Sequence, residues 1–162
     1  MAEALEAMKL PNVTVEGNAI IFNPPSEVIA SLVFYQGGLV KTQAYAVLGQ
    51  ELSERGVRVF MPKMPLNLAI LNTGAFEKLY QKYHQGEEKW YIGGHSLGGA
   101  SASIYVANHP EHVKGIILLG AYPSDKSDLS ELAITALSVQ ATNDWIVNRE
   151  KYDETKVLLP AS

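Results

Sequence analysis

Ser96 stands in Gly94-His95-Ser96-Leu97-Gly98, inside the longer stretch "KWYIGGHSLGGA". A serine hydroxyl attacks a carbonyl well only with a base to take its proton, an acid to orient that base, and amide donors aimed at the developing oxyanion. The G-x-S-x-G spacing suits the exposure of such a hydroxyl, because the sharp strand-to-helix turn that lifts it leaves no room for bulk at positions 94 and 98. The five-residue pattern alone is weak, since composition produces it by accident. Its setting is more specific: the apolar run "KWYI" leads in, and the small-residue helical stretch "LGGASASIYVAN" leads out. Gly99, Ala100 and Ala102 let that helix lie close against a sheet, and its N-terminus presents free N–H groups to the serine. A glycine-rich phosphate loop is the competing reading. It would want consecutive cradle amides and usually a lysine, and neither is present.

The first amide donor is expected at Leu97, directly after the serine. The second should come from "FYQGGLV", where Gly37 and Gly38 form the only glycine pair at an upstream strand end. Gly38 is favoured, with Leu39 as the alternate; a plain strand-ending turn is the competing reading. The acid should follow the serine and sit just past a later strand, which points to Asp144 in "ALSVQATND". Asp144 also reads as an ordinary loop carboxylate. Asp125 and Asp128, in "YPSDKSDLSE", look like turn formers and helix caps.

The elements that must position these residues alternate. "NVTVEG" and "NAIIFNP" read as two short strands joined at Gly17-Asn18. "VIASLVFYQGG" suits a strand buried on both faces, and "AYAVLGQELSERG" has helical spacing with Gly56 as its stop. "VRVFMP" is a strand, "MPLNLAIL" a loop or short helix, and "AFEKLYQKYHQG" an amphipathic helix. Then come the strand "KWYIGG", a helix stopped at Pro110, the strands "GIILLGAY" and "ALSVQA", and a last helix "NREKYDETKVLL". Strands alternating with helices need crossover connections, so the fold class is α/β, with a mostly parallel sheet and helices on both faces.

The 162 residues fit one domain, residues 1–162, with no linker, repeat or low-complexity segment. A net charge of −4 argues against a nucleic-acid surface. Without cysteine the chain has no disulfide, thiolate metal site or thiol nucleophile. No apolar run is long enough to span a membrane, and "MAEALEAMKL" lacks the basic start of a secretory signal, so a cytoplasmic location is expected.

Taken together, "FYQGGLV", "MPKMPLNLAIL", "WYIGGHSLGGA", "LLGAYPSDKSDLS" and "SVQATNDW" resemble the α/β-hydrolase superfamily, in its small dienelactone-hydrolase-like, carboxylesterase-type branch. The likeness runs from about Phe34 to Trp145. It implies Ser96 as nucleophile, Asp144 as triad acid, and hydrolysis of a small-molecule carboxyl ester or lactone, with no metal and no organic cofactor. Gln36 departs from the pattern, where relatives commonly carry proline; the shape of the oxyanion loop is what this bears on.

A base must come within about 2.6–3.2 Å of the serine oxygen. His95 adjoins Ser96, but the turn sends it another way. His84 ends a helix beyond the preceding strand. His109 and His112 bracket Pro110, roughly 18 Å away along a 12-residue helix. No histidine follows Asp144. Relatives continue with one more strand and a loop bearing the catalytic histidine, so the chain is expected to be C-terminally incomplete, lacking that strand and loop. The base would then come from an absent segment, in cis or in trans. The strand before Asp144 would have an unpaired edge, open to such a fragment or to self-association. The alternative is a catalytically dead pseudo-hydrolase serving as a binding or assembly module.

Overall fold

The structure is a computed structural model and describes residues 2–141 and 148–160. Asp144 lies outside the described residues. Among the described residues seven strands form one sheet: β1 (Val13–Glu16), β2 (Ala19–Phe22), β3 (Ala30–Tyr35), β4 (Val57–Pro62), β5 (Trp90–His95), β6 (Gly115–Leu119) and β7 (Thr135–Val139). Their spatial order is β1-β2-β4-β3-β5-β6-β7. β1 and β2 pair antiparallel, and β2 meets β4 antiparallel; every pairing from β4 to β7 is parallel. The hairpin turn is Gly17-Asn18, with Glu16 opposite Ala19 and Gly17 at φ 56°. A glycine at the first central position is what a two-residue turn of the II′ class requires.

The continuous apolar run of β3 follows from its two covered faces. Leu32 and Phe34 point into one core, while Val33 and Tyr35 point into the other. β6 divides in the same way, Ile116 and Leu118 against Ile117 and Leu119. Side chains alternate with a period of two, so a strand with helices on both faces must be apolar throughout. Helices α1 (Ala2–Ala7) and α2 (Ala46–Ser53) cover the first face. Helices α3 (Ala75–Tyr83) and α4 (Leu97–Asn108) cover the second, where Trp90 lies fully buried among Phe60, Phe76 and Tyr80. α5 (Arg149–Thr155) follows, started by Asn148, whose side chain accepts the Lys151 amide.

Local departures from the sequence reading have local causes. A 3-10 turn at Thr42–Tyr45 precedes α2, and two more (Pro65–Asn67 and Ala69–Asn72) make up the "MPLNLAIL" segment. β6 stops at Leu119 because Gly120 takes φ 51°. The last helix ends at Thr155 and tightens into a 3-10 turn at Lys156–Leu158. Asp128 accepts from the Ser130 amide and hydroxyl, a turn as expected, but no helix follows for it to cap. Asp125 pairs with Lys151 at 2.7 Å.

Candidate active site

β5 runs directly into α4 through Ser96, which is exposed and held at φ 51°, ψ −122°. A non-glycine residue there costs on the order of 1–3 kcal/mol, so its surroundings must impose the conformation. They do so by contact. The Ser96 amide donates to the Leu119 carbonyl at 3.0 Å, and its carbonyl accepts from the amides of Gly99 and Ala100. A Cβ on Gly94 would meet the backbone of Gly98 and Gly99, and one on Gly98 would strike the carbonyl oxygens of Tyr35 and Gln36. A Cβ on Gly99 would overlap Ala121. These three glycines let strand, helix and neighbouring loop approach closely enough to leave the serine on top.

The loop after β3 lies alongside. The Gly37 amide donates to the Tyr45 hydroxyl at 2.9 Å, the Leu39 amide to the Asn67 carbonyl at 2.9 Å, and the Val40 amide to the Gly37 carbonyl at 3.2 Å. The Gly38 amide has no partner among the described residues, and neither does that of Leu97 at the start of α4. The Gly38 backbone packs on the Leu97 side chain: a Cβ there would lie 3.2 Å from Leu97 Cδ2. Of the two loop amides favoured from sequence, Leu39's is therefore already occupied.

Gln36 shows why this loop tolerates a residue other than proline. It is buried, and its Nε2 donates to the Val40 carbonyl at 2.7 Å and to Asn67 Oδ1 at 3.1 Å, while its Oε1 accepts from the Thr42 hydroxyl. One side chain thus closes the loop upon itself and ties it to the segment holding Asn67. Among the described residues the non-glycine positive φ values are those of Leu39, Leu66, Asn67 and Ser96. Ser96 and the two linked loops beside it carry all four, as expected where backbone strain serves a site.

Beside Ser96 a cavity of about 310 Å³ is lined by Leu97, Ala100, Ala121, Tyr122 and Asn148. Among the described residues no carboxylate or imidazole lines it. The histidines are engaged elsewhere. His95 Nδ1 lies 2.8 Å from the Tyr45 hydroxyl, His84 and His112 stack on Tyr80, and His109 packs against Tyr105. Among the described residues no group of three or more His, Asp or Glu is placed to hold a metal ion, and no helix is long and apolar enough to cross a membrane. Sequence reasoning missed Tyr45 and Asn67. Their only signals were a tyrosine at helical spacing and an asparagine in an apolar run.

A family model described as "Alpha/beta hydrolase family" matches residues 31–162. No curated protein matches the chain in sequence. Among solved structures, acyl-protein thioesterase 2 from Zea mays superposes with a TM-score of 0.70 at 13% identity, covering 88% of this chain and 84% of that one. An alpha/beta hydrolase enzyme from the metagenome of sediments of the Mar Chica lagoon, Morocco, gives 0.68 at 20% identity, covering 91% and 83%. A thermostable carboxyl esterase from Bacillus coagulans gives 0.55 at 16% identity; the match covers 68% of this chain but spans only 43% of that esterase's length.

Proposed function

Because the chain belongs to the alpha/beta hydrolase family, we propose that it is built for serine hydrolysis of carboxyl esters or lactones through an acyl-enzyme at Ser96. One observation carries the reading: an exposed, strained serine beside two amides, those of Leu97 and Gly38, that have no partner among the described residues. In this reading a base takes the Ser96 proton and Oγ bonds to the substrate carbonyl carbon. The resulting oxyanion accepts from the Leu97 and Gly38 amides. Collapse expels the alcohol, which leaves with the base's proton, and water then releases the acid from the serine by the same steps.

Asp144 is the proposed triad acid. The chain on either side supports this: β7 ends beside the elbow, where Val139 and Gln140 bond Gly120 and Ala121, and Asn148 lines the cavity at Ser96. The base is assigned to a histidine contributed from outside these 162 residues, in cis or in trans, since each histidine present is held away from Ser96. That same fact favours the second reading, a binding module that keeps the elbow without the base. The ester-hydrolysing neighbours support the reaction class; assignment to the dienelactone-hydrolase-like branch rests on the quoted sequence segments alone. The 15 residues or so between β6 and β7 leave an open site, which suits small substrates.

The test is hydrolysis of p-nitrophenyl acetate. Loss of one triad member leaves only about 10³–10⁴-fold catalysis over water, so the 162-residue chain alone should turn over far more slowly than a chain with a complete triad. Adding a histidine-bearing C-terminal segment should restore turnover, and Ser96→Ala should abolish the gain. An extended chain with no Ser96-dependent activity would establish the binding module instead.

A further inference from the structure

We propose that Tyr45 is a positioning residue: its hydroxyl fixes the Gly38 amide relative to Ser96 by bonding both the Gly37 amide and the His95 ring. The inference rests on the hydrolase reading above and adds a residue to it. The hydroxyl has one proton and accepts from the Gly37 amide at 2.9 Å. In this proposal its proton goes to His95 Nδ1, 2.8 Å away. Burial pushes the Tyr45 phenol above its ordinary value, partly offset by the Gly37 amide, so it stays a donor through neutral pH.

The geometry gives this bond a lever. The Gly38 N–H shares a planar trans peptide with the Gly37 carbonyl, so the direction of one sets that of the other. That carbonyl accepts from the Val40 amide, while the Gly37 amide is held by Tyr45. Two anchored points on one glycine orient the next residue's N–H. His95 is the residue before Ser96, so the same hydroxyl grips the strand that presents the serine and the Leu97 amide. An oxyanion site must hold its donors to within about 0.5 Å, and among the described residues nothing else bonds the two donor segments through one atom. Gly37 has no slack, since a Cβ on it would lie 2.7 Å from His95 Nδ1 and 2.9 Å from the Tyr45 oxygen.

A role in packing alone is separable from this one. The Tyr45 ring sits 5.2 Å from Phe34, a contact that Tyr45→Phe keeps. The experiment measures capture of Ser96 by an alkyl fluorophosphonate, as kinact and KI, on the 162-residue chain and its variants. It is paired with ¹⁵N NMR of the His95 ring and hydrogen exchange at the Gly37 amide. In the wild type, His95 should show a hydrogen-bonded, unprotonated Nδ1, and the Gly37 amide should be protected. Tyr45→Phe should remove both signatures and lower kinact by about 10- to 100-fold with KI little changed. His95→Asn, which sets an acceptor oxygen near the place of Nδ1, should recover most of the kinact that His95→Ala loses, and this pair decides the matter if Tyr45→Phe fails to fold. Equal kinact for wild type and Tyr45→Phe, or for both His95 variants, would overturn the proposal while leaving the hydrolase reading intact. Absence of either NMR signature in the wild type would also overturn the proposal, and it too would leave the hydrolase reading intact, since that reading is decided by the turnover test with a histidine-bearing segment.

Discussion

At Gly98 the backbone of α4 lies against the carbonyl oxygens of Tyr35 and Gln36, and those carbonyls belong to the strand end that leads into the Gly37-Gly38 loop. A methyl group there cannot be absorbed by rotating a side chain, because the atoms it meets are backbone. Gly98→Ala should therefore destabilise the fold by about 1–3 kcal/mol or more, the usual range for overpacking, and displace the loop with it. Gly74→Ala is the matched control: nothing lies within 4 Å of its added carbon and its φ is negative, so its urea midpoint should stay near wild type. Equal midpoints for the two variants would show that the close approach at Gly98 is not needed. The small residues at 94 and 98 were legible in the sequence because one motif demands them. Tyr45 and Gln36 were not, because each acts through a partner distant in sequence or through loop geometry. A tyrosine at helical spacing looks like core, and a glutamine where proline is common looks like a substitution without consequence. Only the fold shows Gln36 bonded to Val40, Thr42 and Asn67.

Between α3 and α4 the second face of the sheet is stapled by a polar contact, the Tyr105 hydroxyl donating to Glu77 Oε2 at 2.7 Å. This bond, joined by one from Gln81 and by the nearby His112 and His109, holds the Glu77 carboxyl below its ordinary value of 4.5. The bond also raises the Tyr105 phenol, together with burial, the larger effect. A carboxyl with a depressed folded-state pKa stabilises the fold above its unfolded value, and that contribution fades as pH falls through the folded pKa. Tyr105→Phe should thus be less stable than wild type at pH 7, and the gap should narrow as pH drops below about 4.5. Urea titrations at several pH values measure this; a gap that is constant with pH would show that the hydroxyl contributes only packing. Elements of this kind were well anticipated from sequence: the strands and the helices after α1 were placed near their observed positions, since apolar period and glycine stops are local signals. The boundaries that shifted, at Thr42–Tyr45, at Pro65–Asn72 and after Leu119, are where 3-10 turns or positive φ values take over from periodicity.

Over the whole molecule the two outer strands of the sheet differ in how they are protected. β1 is four residues long, and its Glu16 is engaged by the Tyr83 hydroxyl at 2.6 Å and by Lys82 at 3.5 Å, which puts charge and a covering helix end at that edge. β7, with the sequence TALSV, carries neither charge nor proline, and its outer edge pairs with no strand among the described residues. Leu137 and Val139 on it are about half exposed. Edges are kept from pairing with other chains by charge, proline, bulges or cover, and β7 has none of these among the described residues. The 162-residue chain should therefore associate along β7 in a concentration-dependent way. Sedimentation velocity over a hundredfold range of concentration should show a rising mean mass, which Leu137→Lys should suppress while leaving the monomer's far-UV spectrum and urea midpoint near wild type. Because Gly120 donates to the Val139 carbonyl at 2.8 Å, the strand's inner edge is anchored to the turn below Ser96. A histidine-bearing segment that pairs with the outer edge would then reach the site along the same strand, so its binding should compete with self-association. A chain that stays monomeric at every concentration, with or without the lysine, would show that this edge is closed.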